Sequence, residues 1–475
     1  MLEKAILKEL KNNNLAVFAG AGLSRGSGFV DWKELLRDIA DELELDVDKE
    51  MDLVSVAQYH YNANGRQTIN EAIIEEFQRT SEKNKNMDIL SRLPINTYWT
   101  TNYDSIIEDT LSSVKKVTDV KISQSQMKNY KPDRDAVVYK MHGDKEFPDE
   151  TVITRDDYER YDSDRRMFTT QLKGELISKT FLFIGFSFED PNLEQILSRI
   201  RVELLGKSPK NHYCFFRKVN QSDERYKNSD GSFNEEEFKY DKVKQDLKVK
   251  DLKRYGINSV LIDEYVEITR ILENIEKKFK INKVFISGSA KEYGKYSNEE
   301  AKNLLHNLSK SLISRNHHVI SGFGLGVGSY VINGSLEEIF NNKNKRTNDY
   351  LTLRPFPQNE SGGKTLKELW TEYRKDMIND AGVMLFLFGN KESDGKTVEA
   401  NGMIEEFQIA KELNKFIIPI GSTGYATEKI FNEVKKDLKK YWYLKESINI
   451  LEVEKDESRI IDEIHKIFEK IRRSL

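Results

Sequence analysis

The chain has 475 residues, which is too long for one ordinary domain and predicts two or three. A hydrophobic content of 38% supports packed cores, and a net charge of −4 at pH 7 excludes a general attraction to nucleic acid or anionic membranes. The single cysteine, Cys214, excludes an intramolecular disulfide and a zinc site built from several cysteines.

Two further features bear on the location of the protein. Residues 1–8 interleave charged with apolar side chains, unlike the continuous apolar core of a secretory signal. No apolar run approaches the roughly 18 to 20 residues that are needed to span a bilayer. Together with the cysteine usage, these features predict a cytoplasmic protein with no membrane and no nucleic-acid partner.

In the first half of the chain, helical periodicity alternates with short apolar runs. The helical segments are an amphipathic helix from Leu2, mostly helical sequence over 32–92, a helix that begins at Pro191 and a charged helix over 264–280. Strands are predicted at 15–19, 97–100, 136–139, 180–184, 212–216 and 259–262. Several of these runs are apolar at nearly every position, which is typical of strands buried on both faces of a parallel sheet.

The pattern restarts at residue 283. Strands are predicted at 283–289, 319–322, 382–389 and 416–420, with helices at 298–315 and 401–413. Strand–helix alternation of this kind predicts a second open α/β domain. The predicted fold class is therefore α/β, with two Rossmann-like open parallel-sheet domains that carry helices on both faces, over residues 1–280 and 281–475.

Four short strings in the first domain lie at the ends of predicted strands, where a parallel sheet presents its ligand. They are Gly-Ala-Gly-Leu-Ser at 20–24, Thr-Asn-Tyr-Asp at 101–104, Lys-Met-His-Gly-Asp at 140–144 and Gly-Phe-Ser-Phe-Glu-Asp at 185–190. A single string of this kind is more often a plain turn than a ligand loop. Four in this order predict a nucleotide pocket.

The residue types in these strings suit particular tasks. The Gly20-Ala21-Gly22 turn carries no bulky side chain, so its backbone can approach a pyrophosphate. Asn102 can both donate and accept hydrogen bonds, which allows it to orient a ribose or a water. His142 can take a proton near neutral pH, although a lone histidine is more often structural. Asp104 is expected to cap the following helix.

The second domain has its own small-residue turns. Gly288-Ser289 and the glycine-rich string over 322–328 both leave predicted strands, and their backbone N–H groups can receive a phosphate. Downstream, Arg374 and Lys391 can grip a diphosphate, and a glutamate can take two ribose hydroxyls. Each charged residue taken alone is more often a solvated surface group.

The four strings together resemble the sirtuin fold family, and the resemblance covers roughly residues 1–265. It implies an NAD site in which His142 is the general base and Asn102 positions ribose or water. The residues that it assigns to NAD binding are Gly20, Ala21, Gly22, Ser24, Asp31, Asn102, Gly185 and Ser187.

This chain departs from the protein-deacetylating sirtuins at two points. It lacks the four cysteines of their zinc module, and their phenylalanine-arginine string is not recognisable over residues 28–32. What remains is cleavage of the nicotinamide–ribose bond with water as acceptor, which gives nicotinamide and ADP-ribose. We therefore expect NAD as the substrate, no further cofactor and no zinc.

The second domain resembles the SLOG family of Rossmann-like domains, which bind nucleotide-derived ligands. Asn-Gly-Met-Ile at 401–404 replaces the Gly-Gly-Gly-Thr string that hydrolytic relatives carry before a glutamate, and this favours sensing over catalysis. The resemblance assigns seven residues to the ligand, with Arg354 as a competing cation. They are Gly288, Ser289, Gly326, Arg374, Lys391, Gly402 and Glu406.

A sirtuin-like domain followed by an SLOG domain is the layout of the Thoeris antiphage effector family. The resemblance implies that a cyclic ADP-ribose isomer, made by a TIR-domain partner protein, binds the second domain and switches on NAD hydrolysis in the first. It also implies a homo-oligomer, specifically a tetramer, that depletes NAD during bacterial antiphage defence. Two alternatives remain open at this point: a sirtuin-like protein deacylase and a nucleotide sensor without catalysis.

Overall fold

The computed structural model describes residues 2–50, 52–204, 206, 210–228 and 230–475. The chain divides into two compact units, Met1–Glu276 and Lys277–Leu475. Each unit is built on its own parallel sheet, and the two are described separately below. None of the helices in the described ranges is long and apolar enough to cross a membrane.

A seven-stranded parallel sheet forms the centre of the first unit. Its strands are β1 (Leu15–Ala19), β2 (Thr97–Thr100), β3 (Thr118–Lys121), β4 (Ala136–Lys140), β5 (Thr180–Ile184), β6 (His212–Arg217) and β7 (Ile257–Ile262). Their order across the sheet is β3-β4-β2-β1-β5-β6-β7, with parallel neighbours throughout. The order reverses between β1 and β5, so a ligand crevice is expected beyond the carboxyl ends of these two strands.

Helices flank this sheet. They are α1 (Leu2–Lys11), α2 (Ala21–Arg25), α3 (Trp32–Leu35), α4 (Arg37–Glu42), α5 (Leu53–Asn64), α6 (Gln67–Phe77), α7 (Lys85–Ser91), α8 (Ile106–Ser113), α9 (Arg155–Asp164), α10 (Arg166–Ser178), α11 (Pro191–Glu203) and α12 (Glu235–Arg254). Helix α13 (Val266–Lys280) follows β7 and contains the boundary between the two units. Every residue of β1, β4 and β5 is buried. Because successive strand side chains point to opposite faces, both faces of the sheet are covered.

The second unit has a five-stranded parallel sheet and a separate hairpin. The sheet strands are β8 (Lys283–Ser289), β9 (His318–Ser321), β10 (Leu351–Leu353), β11 (Val383–Phe388) and β14 (Phe416–Pro419), and the hairpin strands are β12 (Asn390–Ser393) and β13 (Lys396–Glu399). The sheet order is β10-β9-β8-β11-β14, which reverses between β8 and β11. A second ligand crevice is therefore expected beyond these two strands.

The helices of the second unit cover its sheet and bury a continuous apolar core. They are α14 (Asn298–Ser314), α15 (Gly328–Asn341), α16 (Thr347–Tyr350), α17 (Leu366–Asp380), α18 (Asn401–Glu412), α19 (Ala426–Lys435), α20 (Ile448–Val453) and α21 (Glu457–Ser474). Two parallel sheets flanked by helices confirm the predicted fold class.

Three strand features were not predicted: β3, β10 and the β12–β13 hairpin. Strand β3 lies at the sheet edge and has the sequence Thr-Asp-Val-Lys, which contains one apolar residue. Its charged residues Asp119 and Lys121 are nevertheless buried, because they form an ion pair with a 2.7 Å separation. The apolar-run criterion therefore misses an edge strand whose burial depends on paired charges.

Candidate active site and ligand site

The loops that follow β1 and β5 contact each other through their backbones. The Gly22 N–H donates to the Gly185 carbonyl at 2.8 Å. A Cβ on Gly20 would lie 2.8 Å from the Phe186 Cα, and one on Gly22 would lie 2.8 Å from the Gly185 Cα. Gly185 has φ +66°, and its Cβ would collide with the Gly22–Leu23 peptide. These glycines are thus required by loop-to-loop packing at the reversal of strand order.

A hydrogen-bonded chain links the first loop to the loop after β2. The Ser24 hydroxyl donates to Asp104 Oδ2 at 2.6 Å and accepts from Asn102 Nδ2 at 2.7 Å. Asp104 Oδ1 also accepts from the Ile106 N–H at 3.0 Å, at the start of α8. Ser105, rather than the predicted Asp104, is the N-cap of α8, and Asp104 supports the helix start from the preceding position. Asp104 also orients Ser24, which in turn holds the amide of Asn102.

The ammonium of Lys140 connects the loops after β2 and β4. Lys140 is fully buried and donates to the carbonyls of Tyr103 at 3.2 Å and Asp104 at 2.5 Å. It also forms ion pairs with Asp144 and, at 3.3 Å, with Glu108. Burial raises the pKa of Glu108, although the Lys140 ammonium opposes this shift. One buried cation thus fixes the segment after Asn102 relative to the segment that contains His142.

His142 lies at the end of β4 with its side chain 3% exposed. Its Nε2 is 3.2 Å from Asp190 Oδ2, an ion-pair distance without hydrogen-bond geometry. The rings of Tyr158 and Tyr161 on α9 pack edge-on against the imidazole, with centroids at 5.5 and 6.1 Å. Its carbonyl accepts from the Val152 N–H at 2.8 Å. The backbone and the ring are therefore both held in place.

Asp31 and Ser187, which the sequence also predicts at the NAD site, have different surroundings. Asp31 is the N-cap of α3, where it accepts from the Glu34 N–H at 3.1 Å, and it pairs with Arg25 at 3.4 Å. Ser187 is exposed on the loop after β5. Neither arrangement tests a contact with NAD, so both assignments remain predictions. Within the described ranges, no cluster of three or more His, Cys, Asp or Glu side chains is arranged to hold a metal ion.

In the second unit, the loops after β8 and β9 also contact each other closely. The Ala290 N–H donates to the Leu325 carbonyl at 2.7 Å. A Cβ on Gly288 would lie 2.9 Å from the Leu387 carbonyl oxygen, and Gly326 has φ +69° with no room for a Cβ beside Ala290. Packing between neighbouring backbones again accounts for the glycines.

Beside these loops, an arginine and two glutamates form a compact cluster on α17 and α18. Arg374 Nη1 pairs with Glu405 Oε2 at 2.8 Å, and its Nε lies 3.5 Å from Glu406 Oε1. The Ser287 hydroxyl of β8 donates to Glu406 Oε2 at 2.6 Å. Burial raises the pKa of Glu406, against the opposing effects of Ser287 and Arg374. Gly402 leaves the space that the guanidinium of Arg374 occupies.

The remaining candidate cations differ in their surroundings. Lys391 lies exposed on the β12–β13 hairpin, opposite Val398. Arg354 pairs with Asp376 and stacks over the Tyr373 ring, with 5.2 Å between the guanidinium carbon and the ring centroid. The structure thus brings Arg374, Gly402 and Glu406 into one cluster, whereas Lys391 sits on a separate hairpin.

Sequence reasoning missed several residues that shape these sites. In the first unit they are Asp190, which directly precedes the helix predicted from Pro191, and Tyr158. In the second unit they are Glu405, as an ion-pair partner, and Phe356, whose ring lies 5.0 Å from the Arg374 guanidinium. Asp190 is the last residue of the string at 185–190, which follows β5. This position after a strand is the sequence signal that could have marked Asp190 as a site residue.

Comparisons with known proteins agree with this architecture. The model of the SIR2-like domain matches residues 96–237, and the model of STALD, the Sir2- and TIR-associating SLOG family, matches residues 267–471. A protein of Cytobacillus dafuensis is 50% identical over 444 residues, which are 93% of this chain and 89% of that protein. A protein of Acinetobacter baumannii (strain 532279) is 45% identical over 479 residues, 98% of each chain. Both are named NAD(+) hydrolase ThsA.

A more distant relative matches less of the chain. The Defense-associated sirtuin 2 of Bacillus subtilis is 28% identical over 206 residues, which are 42% of this chain and 20% of that protein. The two sheets and their sites therefore define a protein of the class that joins a SIR2-like domain to an SLOG domain. Within that class, the chain belongs to the family of the NAD(+) hydrolase ThsA. The resemblance to the Thoeris effector family is thereby confirmed.

Proposed function

We propose that this chain hydrolyses NAD to nicotinamide and ADP-ribose. The observation that carries the proposal is the match, over at least 89% of each protein, with two relatives named NAD(+) hydrolase. The proposed substrate site is the crevice beyond β1 and β5, where the backbone of the Gly20–Gly22 turn and of Gly185 faces the dinucleotide. Asn102 and His142 serve the nicotinamide ribose.

The chemistry divides between these two side chains. Asn102 donates one amide hydrogen to Ser24, so its other N–H and its Oδ1 remain to orient the ribose or the attacking water. Water attacks the anomeric carbon as the bond to the nicotinamide nitrogen breaks, and nicotinamide leaves with the electron pair. His142 takes the proton from the ribose hydroxyl or the water. Positive charge that develops on the ribose is stabilised by oxygen atoms in a site from which bulk water is excluded.

We further propose that a cyclic ADP-ribose isomer activates this reaction from the second unit. The TIR-associating family matched over residues 267–471 supports a TIR-domain protein as its source. In this proposal Arg374 and Lys391 contact the diphosphate and Glu406 contacts ribose hydroxyls, so the ligand competes with Glu405 for the Arg374 guanidinium. The proposed outcome is NAD depletion in antiphage defence by a homo-oligomer, and the family resemblance favours a tetramer.

The test follows nicotinamide release from NAD by chromatography, with and without cyclic ADP-ribose and its isomers. We expect release that one isomer accelerates, and a loss of roughly 100- to 10,000-fold in His142→Ala. His306→Ala is the matched control, because His306 pairs with Glu337 in the second unit. Arg374→Ala should raise the isomer concentration for half-activation at least about tenfold, whereas Arg346→Ala, at an exposed position, should not.

Other outcomes separate the alternative functions. Nucleotide binding without release of nicotinamide under any condition would favour a sensor. Release that occurs only with an acylated peptide, together with formation of an acyl-ADP-ribose, would favour a protein deacylase. Activation that survives both Arg374→Ala and Glu406→Ala would contradict the ligand site proposed in the second unit.

A further inference from the structure

The surroundings of His142 determine which of its ring nitrogens can act as a base. Nε2 is buried, and the carboxylate of Asp190 lies 3.2 Å from it. The pair has no hydrogen-bond geometry in this structure, but an N–H beside the carboxylate is favoured over an unprotonated nitrogen, because two buried acceptors that face each other repel. With Nε2 carrying the hydrogen, Nδ1 is the unprotonated nitrogen and the one that can accept a proton. Catalytic hydrogen bonds are often long without substrate and shorten in the reacting complex.

Asp190 is itself held rigidly. It is the N-cap of α11, where its Oδ1 accepts from the Leu193 N–H at 2.8 Å, and its Oδ2 accepts from the Tyr158 hydroxyl at 3.3 Å. Burial alone would raise the pKa of this carboxyl, but His142, the Leu193 N–H and Tyr158 together hold the pKa below its usual value. The carboxylate is therefore ionised and fixed beside the imidazole.

Two other titratable side chains among the described residues pack against His142, and both are uncharged. They are Tyr158 and Tyr161 of α9, which pack edge-on against the ring. Burial raises the pKa of both phenols well above the usual value, so both stay protonated near neutral pH. Among the described residues in contact with the imidazole, Asp190 is thus the charged side chain.

We propose that Asp190 is a positioning residue for His142. It selects the tautomer that leaves Nδ1 free and stabilises the imidazolium that forms when His142 takes a proton. The inference rests on the proposed NAD hydrolysis, because it assigns a purpose to the His142 base. The orienting carboxylate comes from the start of a helix, and the same residue caps that helix.

Asp190→Asn tests this role because the asparagine oxygen can retain the helix cap, while an uncharged NH2 donor replaces the Oδ2 that faces His142 and Tyr158. Glu194→Gln is the matched control, since it removes a carboxylate from the exposed first turn of the same helix. In Asp190→Asn we expect kcat for nicotinamide release to fall at least about tenfold while KM stays within about threefold. The acid limb of the kcat profile should move to lower pH, because loss of a nearby anion disfavours a protonated imidazole.

A second measurement does not depend on activity. The ring of His142 is titrated by NMR in ¹⁵N-histidine-labelled full-length protein, with His142→Ala identifying the signal. The proposal requires a lower His142 titration midpoint in Asp190→Asn and an unchanged one in Glu194→Gln. It is overturned if the midpoint does not move, or if an active wild-type enzyme and Asp190→Asn share the same kcat and pH profile. A wild-type protein that releases no nicotinamide refutes the proposed function instead, while the titration still tests the pair.

Discussion

Replacement of Lys140 by methionine tests the buried cation beneath the candidate active site. Methionine has a similar length and an unbranched apolar side chain, but it lacks the ammonium. The change removes the donor to the carbonyls of Tyr103 and Asp104 and leaves the carboxylates of Asp144 and Glu108 without their counter-ion. The perturbation therefore acts on charge and hydrogen bonding more than on volume.

The expected loss is large. Removing one member of a buried ion pair costs about 3 to 5 kcal/mol, because the other member stays buried without compensation. The loss should depend on pH. Burial already raises the pKa of Glu108, and without Lys140 this pKa rises further. A carboxyl group with a raised folded-state pKa contributes stability below its unfolded pKa and loses it as the pH rises through the folded pKa. The variant should therefore be penalised more at pH 8 than at pH 5.

The assay is urea unfolding followed by tryptophan fluorescence. In a Trp370→Phe, Trp442→Phe background, the signal comes from Trp32 and Trp99 and reports on the first unit. Lys145→Met is the control, because that half-buried ammonium donates to one backbone carbonyl and its loss should cost about 1 kcal/mol. A loss below about 1 kcal/mol in Lys140→Met at pH 8, or an equal loss at both pH values, would refute the reasoning.

Two further substitutions test the loops with the same assay. Gly185→Ala should destabilise the first unit by more than about 3 kcal/mol, because the new Cβ collides with backbone and the positive φ is strained for alanine. The control is Gly174→Ala in helix α10, where the added Cβ meets open space. It should stabilise the unit by about 0.5 to 1 kcal/mol. Ser24→Ala should cost about 2 to 3 kcal/mol, because it leaves the buried Oδ2 of Asp104 and the Asn102 amide without this hydrogen-bond partner. Ser27→Ala should cost less than Ser24→Ala, because its partner amide keeps a second acceptor; equal losses in both serine variants would contradict the network.

The central strands could be predicted because strands that are buried on both faces consist of nearly continuous apolar residues. Strands β1, β4, β5 and β11 are each buried at every position, and each was predicted. The edge strand β3 was missed, because it is kept inside by charge pairing, which depends on Arg134 as well as on Lys121. A linear pattern does not contain such pairings.

The candidate site shows the same limit at the level of single residues. The strings that contain Asn102 and His142 could be found from their positions after strands, but their partners could not. An aspartate before a proline is a typical helix N-cap, and the sequence therefore predicts only this role for Asp190. The sequence does not predict that the second carboxylate oxygen of Asp190 faces His142. We expected the glycines of the 20–22 turn and Gly185 to leave room for a ligand. In the structure, a side chain at these positions is excluded by the close packing of the two loops against each other.

The paired glycine loops have a consequence for how ligand preference can change within this family. At Gly185 in one unit and Gly326 in the other, no side chain can be introduced without separating two backbones that touch. These two glycines therefore do not tolerate substitution. Substitution remains possible at exposed positions outside these contacts, such as Ser187 and Lys391, which are predicted ligand residues.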